Sequence, residues 1–304
     1  MTNFITGTDA IGNWRDSAFS GKPRRTFCVG IGELARIEVA PKQITLIGGA
    51  PGSGKTAFTM QLAIDALRIS PKLRCVVCNV EMGPSVLLDR QLARLSGVPL
   101  QTIRNRAIQQ NHADRIDMAF SSLDNLSDRL CFVRPPFDLG NVASTVDAFA
   151  SLGHGGDTLI ICDYIQRIPP PGVQGDKRGS IDIAMNFLRQ FADAGAALLV
   201  VASVGRTKDS RGRSSYDGDS LDLASFKESG ELEFGADDAF ILSPQSKKSP
   251  GTHLLKHLKS RHGQCQDLPL NFDGSNQSFK PVPGNVVSDT SDPFSTHGGA
   301  EWKP

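Results

Sequence analysis

A glycine-rich octapeptide at residues 49–56 constrains the fold of this chain more than any other feature of its sequence. It reads GAPGSGKT and fits the full pattern G-x-x-x-x-G-K-[ST]. An apolar run, Gln43–Ile47, precedes it, and a helical pattern from Lys55 to about Arg68 follows it. Glycines in such a strand–loop–helix unit let backbone N–H groups converge on phosphate oxygens at a helix N-terminus. The sequence therefore predicts a phosphate-binding P-loop made by Gly49, Ala50, Pro51, Gly52, Ser53, Gly54, Lys55 and Thr56.

Three side chains complete a predicted site for ATP and Mg²⁺. We expect Lys55 to reach the β- and γ-phosphates and the Thr56 hydroxyl to ligate the metal. Asp163 follows the apolar residues LIIC at the C-terminal end of a predicted strand, where α/β sheets place ligand groups. We expect Asp163 to hold Mg²⁺ directly or through water, although a strand-end aspartate also caps ordinary turns.

Hydrolysis also needs a group that positions water or takes its proton. Glu81 directly follows the predicted strand Cys75–Val80, one strand on from the P-loop, where it could face a γ-phosphate. The structural alternative is an acid that begins the helix predicted from Pro84. We interpret Glu81 as the catalytic carboxylate.

Apolar strands alternate with helical patterns through most of the chain, which predicts an α/β fold. The expected architecture is a mostly parallel sheet flanked by helices, and three short strand candidates after residue 250 indicate a C-terminal β-hairpin region. Residues 1–25 are polar and weakly patterned and are interpreted as an arm, residues 26–281 as the core, and residues 282–304 as a disordered tail.

Composition narrows the classes of function. With 33 basic and 32 acidic residues the formal charge is +1, which excludes a generally cationic nucleic-acid coat. No apolar run reaches the length of about 20 residues that a membrane helix needs, and no secretory signal is visible. The 6 cysteines are then expected to be reduced thiols in a cytoplasmic protein. Cys75 and Cys78 lie in one apolar strand and are expected on its opposite faces, as core residues.

Several short motifs occur in a specific order between Phe27 and Phe279. They are FCVGIGEL from Phe27, VEM around Glu81, DYIQ from Asp163, VASVGR ending at Arg206, FKESGELE from Phe226, and LKSRHG at 258–263. In this order and spacing they resemble the RecA-like ATPase core of the DnaB-type replicative helicases. The resemblance implies a RecA-like P-loop NTPase core that hydrolyses ATP, and it places Arg206 at the nucleotide.

The same resemblance assigns Lys259 and Arg261 to a neighbouring subunit's catalytic site. There the two cations would offset charge on the transferred phosphate, and hydrolysis would depend on assembly. The structural alternative is a basic strand edge that resists aggregation. A finger that acts in trans requires neighbours, so the resemblance implies a ring, with a hexamer as the expected form and replication proteins as further partners.

Two departures separate this sequence from the family pattern. Ser203 stands where the family has a glutamine that senses the γ-phosphate and couples it to the DNA loops. The sequence also shows no counterpart of the family's N-terminal helical domain. Both departures favour ATP hydrolysis over processive unwinding.

Two polar loops, Arg167–Arg178 and Arg206–Arg213, are candidates for contact with single-stranded DNA. The second holds four cations in eight residues and could bind backbone phosphates, although a solvated loop is an equal interpretation. The candidate nucleic-acid residues are Arg178, Lys208, Arg211 and Arg213. The six histidines show no metal-ligand spacing and are interpreted as surface or loop residues.

Three hypotheses of function follow. The first is an ATP-hydrolysing helicase or translocase that acts on single-stranded DNA as a ring oligomer. The second is a RecA-like ATPase whose nucleotide state switches assembly or loading without unwinding, which Ser203 favours. The third, a small-molecule or nucleoside kinase, needs an acceptor pocket and a basic lid, and Glu81 and the Lys-x-Arg pattern at 259–261 argue against it.

Overall fold

The computed structural model describes residues 4–152, 156–172, 177–205, 207–208, 214–215, 221–226, 230–245 and 251–283. The helices in these residues are α1 (Gly7–Ala18), α2 (Lys55–Ile69), α3 (Pro84–Ser96), α4 (Leu100–Arg104), α5 (Ala113–Asp124), α6 (Leu139–Ser151), α7 (Lys177–Asp193) and α8 (Gly230–Gly235). The strands are β1 (Ile44–Gly49), β2 (Leu73–Asn79), β3 (Leu130–Phe132), β4 (Asp157–Asp163), β5 (Ala197–Ser203), β6 (Thr207–Lys208), β7 (Ser214–Ser215), β8 (Asp238–Pro244), β9 (Thr252–Ser260), β10 (Leu268–Asp273) and β11 (Ser278–Pro281).

One 9-stranded sheet organises the molecule, in the order β11-β10-β9-β8-β1-β5-β4-β2-β3. The strands from β8 to β3 in that order run parallel, and β9, β10 and β11 extend the sheet antiparallel. This arrangement confirms the predicted mostly parallel sheet with a C-terminal hairpin region. Because β1, β2 and β4 are parallel, their C-terminal ends lie at one edge of the sheet, where the loops that follow them meet.

Helices cover both faces of the sheet, and the strands alternate accordingly. Cys75 and Val77 of β2 pack in the cluster that contains Phe58 of α2. Val76 and Cys78 of the same strand pack in the opposite cluster, with residues of α6 and α7. The predicted placement of the two cysteines on opposite faces is therefore confirmed, and burial raises the pKa of the Cys78 thiol to about 12.

The N-terminal arm contains a helix that the sequence analysis did not predict. The hydroxyl of Thr6 caps α1 by accepting a hydrogen bond from the Asp9 amide at 3.1 Å. None of the helix residues is buried, and the apolar side chains Ile11 and Trp14 remain 64% and 68% exposed. The capping signal was present in the sequence, but a helix without a buried face lacks the strong periodicity on which the prediction relied.

The structure corrects three local expectations. The segment Arg167–Gly179 is not loop throughout, because α7 begins at Lys177. Within the predicted loop Arg206–Ser220, the short strands β6 and β7 pair with each other. His253 and His257 are not surface residues: His253 is buried, and the His257 ring stacks on Phe240 with ring centroids 4.1 Å apart.

Two expectations concern the outer parts of the chain. Most of the predicted tail, residues 284–304, lies outside the described residues. Among the helices that the structure describes, none combines the length and the apolar composition needed to cross a lipid bilayer.

Candidate active site

The octapeptide 49–56 forms the loop between β1 and α2, as its strand–loop–helix context predicted. Gly52 and Gly54 adopt left-handed backbone angles, with φ of 79° and 87°. At Gly54 a Cβ atom would also lie 2.8 Å from the Phe279 ring, so a side chain is excluded by both conformation and space. The loop ends at the N-terminus of a 15-residue helix, where free N–H groups and the helix dipole favour an anion.

Lys55 is bound to its own loop in this structure. Its Nζ donates to the carbonyl oxygens of Gly49 at 2.7 Å and Ala50 at 2.8 Å. Burial lowers the pKa of Lys55, while the nearby carboxylates of Asp163 and Glu81 act in the opposite direction. A phosphate at this position would give the buried ammonium a stronger partner than two neutral carbonyls.

Asp163 ends β4 and lies beside the start of α2. Its side chain is hydrogen-bonded to Thr56, and the residue is only 5% exposed. Burial raises the pKa of Asp163, against the hydrogen bond from Thr56 and the charge of Lys55, which lower it. A hydroxyl and a carboxylate oxygen are hard donors of the kind that Mg²⁺ binds, so this pair fits the metal that the sequence predicted.

Glu81 lies next to Asp163 because β2 and β4 are adjacent in the sheet. The side chain is about half exposed, and Arg167 Nη1 lies 4.0 Å from its Oε1. Glu81, Lys55, Thr56 and Asp163 all line one cavity of about 420 Å³. The structure therefore brings together the P-loop, the predicted metal ligands and the predicted catalytic carboxylate.

Further residues that the sequence analysis did not single out line the same cavity. They are Met82, Arg90, Tyr164, Phe272 and Gln277. Arg90 adds a second cation close to the P-loop, and burial lowers the pKa of its guanidinium more than Asp163 raises it. The predicted helix from Pro84 contained Arg90, but which face of that helix meets the cavity is decided by tertiary packing.

Ser203, at the end of β5, also lines the cavity. Its main chain is held by the Gln166 carboxamide, which accepts from the Ser203 amide at 3.1 Å and donates to its carbonyl at 3.2 Å. The segment after Asp163 is thereby joined to the segment in which the sequence departs from the family pattern.

Lys259 and Arg261 lie at the other edge of the sheet, next to the start of β1. Arg261 Nη1 lies 3.2 Å from Asp237 Oδ1, and the other oxygen of Asp237 accepts from the Ile44 amide at 2.8 Å. Strand β1 has 6 residues, so at about 3.3 Å per residue the pair lies about 15–20 Å from its own P-loop. The structure does not bring this pair into the cavity of its own chain.

Both cations are held in place by the end of α8. Lys259 Nζ donates to the Glu233 carbonyl at 2.6 Å, and Arg261 Nη2 donates to the Phe234 carbonyl at 2.8 Å. Burial lowers the pKa of Lys259, and Arg261 beside it acts in the same direction. The Arg261 side chain is 47% exposed and can be approached by another molecule.

The remaining predicted site residues lie where the structure gives no side-chain description. Arg206, Arg211 and Arg213 lie outside the described residues. Lys208 belongs to β6 and Arg178 to α7, but their side chains are not described. Their assignment to nucleotide or nucleic acid stays a prediction.

The sheet order, the P-loop and the carboxylates around it define a P-loop NTPase with a RecA-like core. Residues 37–281 match the model of the DnaB-like helicase C terminal domain, and the chain belongs to that family. Replicative DNA helicase DnaB of Pasteurella multocida (strain Pm70) is 26% identical over 249 residues, which cover 79% of this chain and 51% of that protein. The gene 65 protein of Mycobacterium phage L5 is 24% identical over 150 residues, 49% of this chain and 53% of the phage protein.

Solved structures agree in fold. One of them, a structure of an isolated ATPase domain, superimposes with a TM-score of 0.78 at 18% identity, covering 92% of this chain and 100% of that domain. A DnaB-like replicative helicase, solved in a study of its interactions with primase, gives 0.75 at 17% identity, covering 91% of this chain and 67% of that one. These findings confirm the family and the fold expected from the motifs. The chain spans about half the length of the curated relatives it matches.

Proposed function

We propose that this chain hydrolyses ATP as part of a ring oligomer that moves on single-stranded DNA. The observation that carries the proposal is the cavity that joins the P-loop to Thr56, Asp163 and Glu81. The P-loop accounts for nucleotide binding, and the two carboxylates distinguish a hydrolase from a simple binding protein.

The residues of the cavity divide the reaction between them. Backbone N–H groups of the P-loop bind the phosphates, and Lys55 exchanges its carbonyl partners for β- and γ-phosphate oxygens. Thr56 and Asp163 would hold Mg²⁺, which neutralises phosphate charge when bound. Glu81 orients a water molecule toward the γ-phosphate and takes its proton.

Lys259 and Arg261 of a neighbouring copy complete the site in this proposal. Their position at the opposite edge of the sheet from the P-loop supports action in trans, because neither cation can approach its own nucleotide. Delocalised positive charge on Arg261 would offset the charge that develops on the transferred phosphate.

Exposed apolar surfaces support self-association. Ile11 and Trp14 of α1 have no partner among the described residues of the same chain's core. A separate apolar cavity of about 390 Å³ opens between α3 and α5, lined by residues such as Leu92, Phe120 and Leu123. Apolar surfaces of this kind mark interfaces with other protein surfaces, and a ring, which we propose is a hexamer, would cover them.

Single-stranded DNA is the proposed nucleic-acid substrate, with contacts from Arg178, Lys208, Arg211 and Arg213, and Arg206 is proposed to contact the nucleotide. The named relatives, which are replicative DNA helicases, support this choice. Replication proteins are proposed as further partners, and the cytoplasm, where such DNA is available, as the location.

A second function, nucleotide-switched assembly or loading without unwinding, is favoured by Ser203. A serine hydroxyl is too short to replace the glutamine amide that the family pattern places there, so the link from γ-phosphate to DNA would be weakened.

One set of assays separates the alternatives. The ATPase rate is measured against protein concentration, with and without single-stranded DNA, together with unwinding of a forked duplex. A specific rate that rises with concentration and with DNA, accompanied by unwinding, supports the helicase. Stimulation by a protein partner without unwinding supports the switch, and transfer of phosphate to an acceptor other than water would overturn both.

A further inference from the structure

Asn79 is a buried polar residue that joins the two functional carboxylates. It ends β2 directly beside Asp163, its register partner at the end of β4, and is only 7% exposed. Its Nδ2 donates to Asp163 Oδ2 at 2.8 Å. Its Oδ1 accepts from the amides of Glu81 at 3.0 Å and Met82 at 2.8 Å.

These contacts fix the orientation of the carboxamide. Two backbone N–H groups point at one end of the side chain, and only the amide oxygen can accept from both. The NH₂ group must therefore face Asp163, where it donates to a carboxylate. Neither a carboxylate nor an aliphatic side chain at this position could satisfy the Asp163 oxygen and both N–H groups together.

We infer that Asn79 is a positioning residue for hydrolysis, which sets the metal-side carboxylate and the water-side carboxylate in register. Through Nδ2 it holds the Asp163 carboxylate in a fixed plane beside Thr56. Through Oδ1 it holds the turn that carries Glu81, whose own side chain is half exposed and has only the distant Arg167 as an ion-pair partner among the described residues. The inference rests on the proposed function, because it assigns a role in that reaction.

The magnitude follows from comparable sites. Groups that orient a metal ligand typically change metal affinity or activity by about 10–100-fold when they are removed. A misplaced Glu81 turn lowers the rate without weakening nucleotide binding, because Glu81 makes no contact that binding requires. Loss of Asn79 should therefore separate nucleotide affinity from Mg²⁺ dependence and turnover.

The test compares the parent chain with Asn79→Ala, Asn79→Asp and the control Asn141→Ala. Asn141 is matched because its amide also bridges backbone groups, the carbonyls of Arg134 and Pro136, but outside the cavity. Affinity for a fluorescent N-methylanthraniloyl derivative of ATP is measured in EDTA and in a Mg²⁺ titration, alongside kcat, KM and thermal unfolding.

We expect Asn79→Ala to bind nucleotide like the parent in EDTA, but to need about 10-fold more Mg²⁺ and to lose about 10–100-fold in kcat with little change in KM. Asn79→Asp keeps an acceptor for the Glu81 and Met82 amides and loses the donor to Asp163. It should share the Mg²⁺ defect but recover more kcat than Asn79→Ala at saturating Mg²⁺. Asn141→Ala should match the parent.

Parental Mg²⁺ dependence and kcat in Asn79→Ala would overturn the inference. So would a loss of EDTA-state binding that simply follows a lower unfolding temperature, which would indicate a structural role. If Asn79→Ala does not fold, the near-isosteric Asn79→Asp carries the same Mg²⁺ comparison. If the parent hydrolyses no ATP, the proposed function fails, whereas the Mg²⁺ dependence of nucleotide binding still tests the link between Asn79 and Asp163.

Discussion

The two edges of the parallel sheet differ in what they hold. At the C-terminal edge, the P-loop, Asp163 and Glu81 surround a cavity in which Lys55 and Asp163 have partners that a nucleotide and its metal could replace. At the opposite edge, Lys259 and Arg261 form a cationic pair held by α8 carbonyls, and the P-loop of the same chain is out of their reach. One edge resembles a binding site without its finger, and the other resembles a finger without a site.

This difference teaches that a single chain carries two halves of one reaction centre. Asp237 anchors the cationic half to the first residue of β1, so both halves are built on the ends of the same buried strand. A buried strand is rigid, and the spacing of the halves is therefore fixed within a chain. In a ring, the same spacing would place each finger against the next P-loop.

The largest expected effect comes from the P-loop edge. Lys55→Ala should abolish nucleotide binding and hydrolysis, because it removes the cation that meets the β- and γ-phosphates. Binding is measured by fluorescence titration, with Lys72→Ala, an exposed lysine outside the cavity, as the control. Parental affinity in Lys55→Ala would mean that the cavity is not the nucleotide site.

The next effect tests the opposite edge. Arg261→Ala should leave nucleotide binding nearly intact and lower kcat by about 10³-fold, the lower end of arginine-finger effects. Arg68→Ala is a matched control, since the Arg68 side chain is 46% exposed against 47% for Arg261. A large loss of binding instead of turnover would assign Arg261 to the nucleotide site of its own chain.

Glu81→Gln sharpens the division of labour within the first edge. The amide keeps the size of the side chain but cannot accept a proton from water, so kcat should fall by about 100-fold or more while nucleotide affinity is retained. Single-turnover hydrolysis separates the chemical step from product release. A variant that turns over at the parental rate would return Glu81 to the alternative of a helix-initiating acid.

The smallest effect concerns the basic loop, which belongs to neither edge. Replacing Lys208, Arg211 and Arg213 by Ala should weaken binding of single-stranded DNA and flatten its salt dependence by about 0.7 per lost phosphate contact. The triple replacement of Arg68, Lys72 and Arg115 removes the same charge elsewhere and should leave the slope unchanged. An unaltered slope in the loop variant would indicate a solvated surface.

The sequence predicted the parts of the molecule that rest on local pattern. The P-loop motif, the apolar run before Asp163 and the strand before Glu81 placed three site residues at one sheet edge, because parallel strands share a direction. The family resemblance ordered the remaining motifs, and the fold agrees with it.

Features that depend on packing between distant segments were missed. Arg90 lies on a predicted helix, but only the packing of α3 shows that it faces the cavity. His257 was assigned to the surface because its stacking on Phe240 joins β9 to β8, which no local pattern reveals. Asn79 reads as an ordinary strand end until β4 is placed beside it.

The central claim, a reaction centre shared between neighbouring chains, is tested most directly by mixing two inactive variants. Arg261→Ala retains an intact P-loop, and Lys55→Ala retains an intact finger. In mixed oligomers, some interfaces pair the good P-loop of the first with the good finger of the second, so ATPase activity should reappear although each variant alone is inactive. No recovery, in oligomers shown by differential labelling to contain both variants, would contradict the shared site.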